Sequence, residues 1–369
     1  MDSQRGVGMV PLIGIEEEYL IVDPSTRHVA PRAAEVLAAA TDMLDVVHEI
    51  TRFQVEARTP PSADLSELGS QLRAARKEVA GAARSCGLAV VASGIPVLGN
   101  VMPPPLTDDV RYHEGRTLYR ALQDEISICA LHVHVDVPDP EHAVYVGNHL
   151  RPWLPTLIAL AANSPFFVGR DTGYASWRVI SWGRWPVSGA PPYFPSFDAY
   201  ELALRSLGDS GVLLDPKTVY WDTRPSPRLP TVEIRVADVP LDVADSLTLI
   251  GLIRGLVVTA LSAVARGDRG LPVPAEVLRA AYWRAARYGL QGDSLDVRHG
   301  TLVPAAVLAG RLLEHVRPAL AEAGDLTFIQ EGLDRLLRSG SGAMRQRRAY
   351  AKANALEEVV DDLIEATVA

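Results

Sequence analysis

The sequence predicts an α+β fold: a mainly antiparallel sheet packed by helices, with a helical C-terminal third. Two observations carry this expectation. Strand patterns recur near 10–23, 45–58, 88–94, 129–137, 217–223 and 231–238, with helical patterns filling the gaps. After Asp242 the chain reads almost wholly helical, at 242–266, 274–289, 302–323, 328–338 and 342–366. Strands mixed with helices and followed by a helical run fit that layered class. A single domain over 1–369 is expected, with its sheet-forming part at about 10–240 and its helical part at about 241–369. Sequence repeats of the solenoid or propeller type do not occur.

Composition narrows the class further. Apolar residues make up 48% and charged residues 22%, which is the balance of a globular chain rather than a disordered one. A formal charge of −9 argues against an extended nucleic-acid surface, because such surfaces cluster Lys and Arg against phosphates. A small anionic ligand would therefore need metal ions or a local group of arginines. The two cysteines, Cys86 and Cys129, sit in apolar runs and offer neither a CxxC pair nor a disulfide framework. Met1–Gly8 lacks a secretory pattern, and the apolar run Leu247–Ala265 carries Arg254, Gly251 and Gly255, so a buried helix is expected there and no membrane span. A cytoplasmic location follows as the expectation.

Taken in order, the first strand reads Gly14-Ile15-Glu16-Glu17-Glu18-Tyr19-Leu20-Ile21-Val22, with β-branched residues on both sides of its acids. Period-two alternation puts Glu16 and Glu18 on one face and Ile15, Glu17, Tyr19 and Ile21 on the other. Carboxylates about 7 Å apart on one face can each serve a hard cation, although a charged solvent-facing edge has the same pattern. The next strand, Arg52–Arg58, turns Phe53, Val55 and Ala57 to a core and Arg52, Gln54, Glu56 and Arg58 away from it. A helix follows over 64–86, with Leu65, Leu68, Leu72, Val79 and Ala83 in a stripe and a capping-box spacing at Asp64 and Glu67. The strand at 129–137 gathers His132, His134 and Asp136 on one face. The Pro- and Gly-rich stretch Trp185–Pro195 reads as a long ordered loop of the kind that often forms a lid. The last strand, Thr231–Val236, buries Val232, Ile234 and Val236 and leaves Glu233 beside Arg235.

Each of these strands alone is compatible with a surface salt-bridge ladder. Joined in one sheet they make a polar face of Glu16, Glu18, Glu56 and Glu233 beside His132, His134, Arg52, Arg58 and Arg235. Carboxylates that close raise one another's pKa unless cations neutralise them. Mg²⁺ prefers such oxygen ligands and bridges nucleotide phosphates, while arginines carry transferred phosphoryl charge. The face therefore points to ATP chemistry.

At these residues the chain resembles the YbdK-type carboxylate–amine ligases, the type-2 glutamate–cysteine ligase group. The resemblance rests on GIEEEYLIVD at 14–23, VEARTP at 55–60, LHVHV at 131–135, SPFFVGRDTGYASWR at 164–178, YWDTRPSPRLPTVEIRVADV at 220–239 and GAMRQRRAY at 342–350. It implies a glutamine-synthetase-like catalytic domain whose curved antiparallel sheet holds ATP and two or three Mg²⁺, with Mn²⁺ able to substitute. It further implies that Glu16, His132 and Glu233 hold one metal near the γ-phosphate and that Glu18 and Glu56 hold another. Glu49 is a further candidate that needs a bulge or loop to reach the site. Arg235 is expected at the γ-phosphate, with His132 beside the nucleotide. Arg170, in the Gly169–Tyr174 run with Asp171 and Tyr174, is expected to take a substrate carboxylate bidentately, and His134 and Arg58 are further substrate contacts; the same run also reads as a tight turn with an internal Arg–Asp pair. The implied reaction phosphorylates a carboxylate and lets an amine attack the acyl phosphate, giving an amide, ADP and phosphate. Both partners are small and amino-acid-like, and a homo-oligomer is compatible with this reading. Departures from the group are Gly94-Ile95-Pro96-Val97, where relatives often carry Gly-Thr-His-Pro, and Ala130 in place of a glycine. The alternatives at this point are a metal-dependent hydrolase using His132 and His134, a kinase, and a non-catalytic nucleotide-binding homologue.

Overall fold

The computed structural model describes residues 10–41, 45–99 and 102–369. Seven strands form the main sheet: β1 (Ile13–Val22), β2 (Asp45–His48), β3 (Gln54–Arg58), β4 (Ala89–Val91), β5 (Ala130–Asp136), β6 (Thr223–Pro225) and β7 (Thr231–Asp238). Their order is β6-β7-β5-β1-β3-β2, with β4 pairing Leu20–Val22 of β1, and every pair is antiparallel. The expected strand at 45–58 divides into two at a turn, so Arg52 is exposed ahead of β3 instead of joining the polar face. The 217–223 pattern becomes a short 3₁₀ turn, Pro216–Thr218, and a two-residue strand, Tyr220–Trp221, that pairs Ser188–Gly189.

One face of the sheet is covered by helices. Ile13 and Ile15 of β1, Leu131, Val133 and Val135 of β5, and Val232 and Ile234 of β7 are buried in a core that also takes in the C-terminal helices. The helix Leu65–Ser85 begins where Asp64 accepts from the backbone N–H groups of Ser66 and Glu67. The reciprocal half of the expected capping box is replaced, because Glu67 accepts from Ser62 Oγ. This helix delivers Arg76 to the buried Glu17 of β1, with Nη2 to Oε1 at 2.8 Å and Nε to Oε2 at 2.9 Å. A buried acid on the apolar side of β1 is tolerated because a guanidinium and the hydroxyls of Tyr19 and Ser246 satisfy it.

The helix Val243–Val264 is long and apolar enough to cross a membrane, yet it lies inside the protein with 78% of its most apolar window buried. Its small residues let neighbouring helices approach: a Cβ at Gly251 would fall 2.2 Å from Ile329 Cδ1, and one at Gly255 would fall 2.9 Å from Val316 Cβ. Arg254, the charge within it, pairs with Asp325 and reaches the Ala63 carbonyl. The C-terminal part departs from the expected run of helices in two places. Asp293–Asp296 and Thr301–Pro304 form a β-hairpin ahead of the helix Ala305–Glu322. The helix expected over 342–366 divides into Gly342–Ala353 and Leu356–Thr367, because Asn354 takes the left-handed conformation (φ 53°) that Asn tolerates better than most residues.

Candidate active site

The uncovered face of the sheet collects the charged side chains. Cross-strand register sets Glu16 between Arg58 and His132, Glu18 beside Glu56, and Glu233 between His134 and Arg224. Side chains that alternate along each strand thus become neighbours across strands. Between Ile234 and Ala237 the β7–β5 register shifts, so Arg235 and Val236 lie across from the single position of His132. A bulge of this kind re-aims a side chain and is common beside active sites. Glu49 reaches the face from the loop after β2, as its opposite alternation required.

Three groups of potential ligands result, each with its ligand atoms within 4.8 Å of one another: Glu16 with Glu56 and His132, Glu16 with His134 and Glu233, and Glu18 with Glu49 and Glu56. The implied set of Glu16, His132 and Glu233 is divided between two of these groups, which share Glu16. Ahead of the bulge Glu233 is in register with His134, and the residues of the bulge, not Glu233, stand opposite His132. His134 is therefore part of the acidic cluster: its Nε2 lies 3.6 Å from Glu16 and its Nδ1 lies 3.0 Å from Thr231 Oγ1.

The acids fall into two electrostatic classes. Burial opposes ionisation of Glu16, but the His132 hydrogen bond and the nearby His134 imidazole outweigh it and hold its pKa far below the usual carboxylate range. Glu233 is likewise held low, since the charges of Arg235 and Arg224 override its burial. Glu18, Glu49 and Glu56 behave in the opposite way. Burial, joined by neighbouring carboxylates, pushes Glu18 well up, raises Glu49, and raises Glu56 to about 8 despite Arg58 Nε at 2.6 Å from its Oε1. Burial and the charge of Arg235 lower His132 to about 4. A neutral His132 then donates Nδ1–H to Glu16 Oε2 at 3.0 Å, leaving Nε2 as a free electron pair.

A cleft of ≈ 430 Å³ opens over this face, lined by Glu16, Glu18, Glu49 and Glu233, both histidines, Arg58, Arg178, Arg235 and further residues the sequence did not single out. These are chiefly Arg111, Lys217, Arg224 and Arg228, with Tyr112, Ile126, Ile128, Trp182 and Tyr220 as its walls. Arg224 and Arg178 stand inside the quoted motifs at 220–239 and 164–178, and Arg224 lies on the strand paired to Glu233, which was the available signal. Arg111 is held by Asp215, 2.7 Å away and far along the chain, a contact with no local signature.

Arg170, Asp171 and Tyr174 lie away from the cleft. Arg170 is exposed and stacks over Trp177, Asp171 pairs with Arg347 at 2.7 Å, and Tyr174 accepts from Trp283 Nε1. Arg170 and Asp171 sit on the short hairpin Phe166–Phe167/Arg170–Asp171, and Asp171 pairs with Arg347 rather than with Arg170. The Trp185–Pro195 loop is ordered but does not overlie the acids: Pro191 O accepts from Arg151, and Phe194 packs against Tyr200 and Trp221. Ile95 is 1% exposed and lines no part of the cleft.

Fold and site together fit what the family comparisons show, an ATP-dependent ligase that forms an amide bond from small amino-acid-like substrates. The sequence profile of glutamate–cysteine ligase family 2 (GCS2) matches residues 12–363. A protein of Mycolicibacterium vanbaalenii with the provisional name glutamate–cysteine ligase 2-2 is 42% identical over 362 residues, 97% of this chain and 98% of the relative. One of Nocardia farcinica, with the provisional name glutamate–cysteine ligase 2-1, is 44% identical over 97% of this chain and 94% of its own. The chain belongs to glutamate–cysteine ligase family 2. Among solved structures, glutamate–cysteine ligase of Francisella tularensis in complex with AMP has a TM-score of 0.69 at 12% identity, covering 97% of this chain and 88% of that one. A bifunctional glutathione synthetase of Pasteurella multocida has a TM-score of 0.67 at 14% identity, covering 97% of this chain and 51% of that one. At such low identity these two show a shared fold.

Proposed function

We propose that the chain transfers the γ-phosphoryl group of ATP to the carboxylate of a small amino-acid-like substrate, and that an amine then displaces phosphate to give the amide. The observation that carries this reading is the concentration of buried acids, two histidines and several arginines on one face of the sheet. Mg²⁺ fits the residues present, because Glu18, Glu49 and Glu56 crowd three carboxylates with little cationic relief and His134 Nε2 is buried without a hydrogen-bond partner. The three ligand groups would hold two or three ions. When bound, Mg²⁺ would neutralise phosphate charge.

The remaining work falls to the protein. Arg235, paired with Glu233 in the resting site, is placed to carry charge developing on the transferred phosphoryl group. Arg224 pairs with the same Glu233 at 2.8 Å and keeps that carboxylate ionised. Arg111 and Lys217 at the cleft wall suit substrate carboxylates or distal phosphates. Ile126, Ile128 and Trp182 form an apolar wall that limits water beside a reactive acyl phosphate. Sheet and helical part share one core, which supports a single catalytic unit, and ATP as substrate supports a cytoplasmic location. A zinc hydrolase using both histidines is disfavoured, because His132 and His134 fall into different ligand groups.

The test is an ADP-release screen of amino acids singly and in pairs, with mass spectrometry of products and ¹⁸O in the substrate carboxylate. One labelled oxygen should appear in the released phosphate. AMP with pyrophosphate as products would exclude this route in favour of adenylation.

A further inference from the structure

The 164–178 motif does not put its glycines or its Arg170 into the cleft, yet its last residue reaches the floor of the site. Arg178 is 2% exposed, in the first turn of the helix Trp177–Trp182. Its Nη2 donates to the carbonyl of Arg235 at 2.9 Å and its Nη1 to the carbonyl of Val236 at 3.3 Å. Those two residues lie at the register shift of β7.

We propose that Arg178 is a positioning residue: its guanidinium clamps the β7 bulge and so fixes the backbone from which Arg235 enters the cleft. The proposal rests on the ligase reading for its effect on turnover, though not for the clamp itself. Three features support it. A planar guanidinium can span two successive carbonyls, which a single ammonium cannot do in a fixed geometry. The guanidinium is itself anchored, with Nη1 3.9 Å from Asp238 Oδ1. Asp238 in turn accepts from Ser176 Oγ at 2.8 Å, Ser164 Oγ at 2.7 Å and Asn163 N at 2.8 Å, so residues of the 163–178 stretch converge on one buried carboxylate.

The packing around this anchor leaves little slack. A Cβ at Gly94 would fall 2.9 Å from Asp238 Cγ, which accounts for glycine at that turn. Nη1 and Nη2 of Arg178 each donate to a carbonyl of the bulge, so its influence on the reaction runs through the backbone of Arg235. A bulge leaves residues outside the regular ladder, so without the clamp Arg235 and Val236 would sample several conformations.

The test is a double-mutant cycle of Arg178→Gln and Arg235→Lys, joined to hydrogen exchange of the 231–238 segment. Arg178→Gln should lower kcat about 100-fold, the loss that a misplacement of about 1 Å brings, while the KM for ATP changes less than about threefold. Arg235→Lys should then add less than about threefold in the Arg178→Gln background, against a much larger loss alone. Amides of Arg235, Val236 and Ala237 should exchange at least about tenfold faster than in the wild type, while those of the Val243–Val264 helix stay unchanged. Additive losses in kcat, or unchanged exchange at 235–237, would overturn the clamp. Arg178→Lys keeps the charge but cannot hold both carbonyls, and it should give the same exchange pattern, so it serves if Arg178→Gln does not fold. Absence of ADP release from the wild type would count against the ligase reading, and the exchange data would still decide the clamp.

Discussion

Replacing Arg76 by Met removes a buried guanidinium that makes two bonds to Glu17 and donates at 3.0 Å to each of the Leu241 and Pro240 carbonyls. Glu17 is 0% exposed and would be left with the hydroxyls of Tyr19 and Ser246. Breaking a buried ion pair by removing one partner costs about 3–5 kcal/mol. With an unfolding entropy of about 2.1 cal/mol/K per residue over 369 residues, that loss lowers Tm by about 4–6 °C. The double variant Glu17→Met/Arg76→Met should recover at least half of it, because no charge is then stranded. The pH dependence follows from Glu17. Burial opposes its ionisation, but Arg76 outweighs burial and holds its folded pKa below the ordinary value of 4.5. Its stabilisation is therefore complete above about pH 4.5 and is lost as pH falls through the lower folded value. Denaturant melts of wild type, Arg76→Met and the double variant at several pH values measure all of this. A single-variant loss under about 1 kcal/mol, or a double variant no better than the sum of the singles, would refute the reasoning.

Glu16→Gln, Glu18→Gln, Glu56→Gln and Glu233→Gln should each lower Mg²⁺-dependent turnover by about two orders of magnitude with the fold retained; near-wild-type rates in two of them would undo the metal assignment. Arg235→Lys keeps the charge but loses the planar fork, so steady-state kinetics should show kcat falling by more than the KM for ATP rises. Titrating Mg²⁺ into nucleotide-free protein at pH 7 should release protons, since Glu56 near about 8 is protonated there and metal displaces the proton. Calorimetry in two buffers of different ionisation enthalpy reads that release, which should vanish well above pH 8. Ile95→Thr puts a hydroxyl at a site 1% exposed, so melts should show a loss of about 1–3 kcal/mol with substrate preference unchanged.

The polar face was legible because it depends on local alternation. Glu16 and Glu18 share a face, as do His132 and His134, and Glu233 and Arg235, whatever the strands pair with. The sequence likewise placed Glu17 on the opposite face but could not supply Arg76, 59 residues away. Arg52 was misplaced because the turn ahead of β3 interrupts an alternation that looks continuous in the sequence. The Gly169–Tyr174 run lies on and beside a short hairpin outside this cleft, while Arg178, four residues past Tyr174, lines it, a difference set by packing that the run's glycines and polar tips do not signal.

By itself, then, the sequence determined the α+β class, the family resemblance, the strand faces and the acids and histidines they carry, because side-chain direction along a strand follows from backbone geometry with period two. Tertiary structure decided which of those groups meet. It set Glu233 beside His134 by strand register and Arg235 opposite His132 through a bulge, brought Glu49 in from a loop, and drew Arg111, Lys217 and Arg224 to the cleft. Those meetings are decided by strand register and by packing between segments far apart in the chain, and neither leaves a periodic trace in the residues that take part.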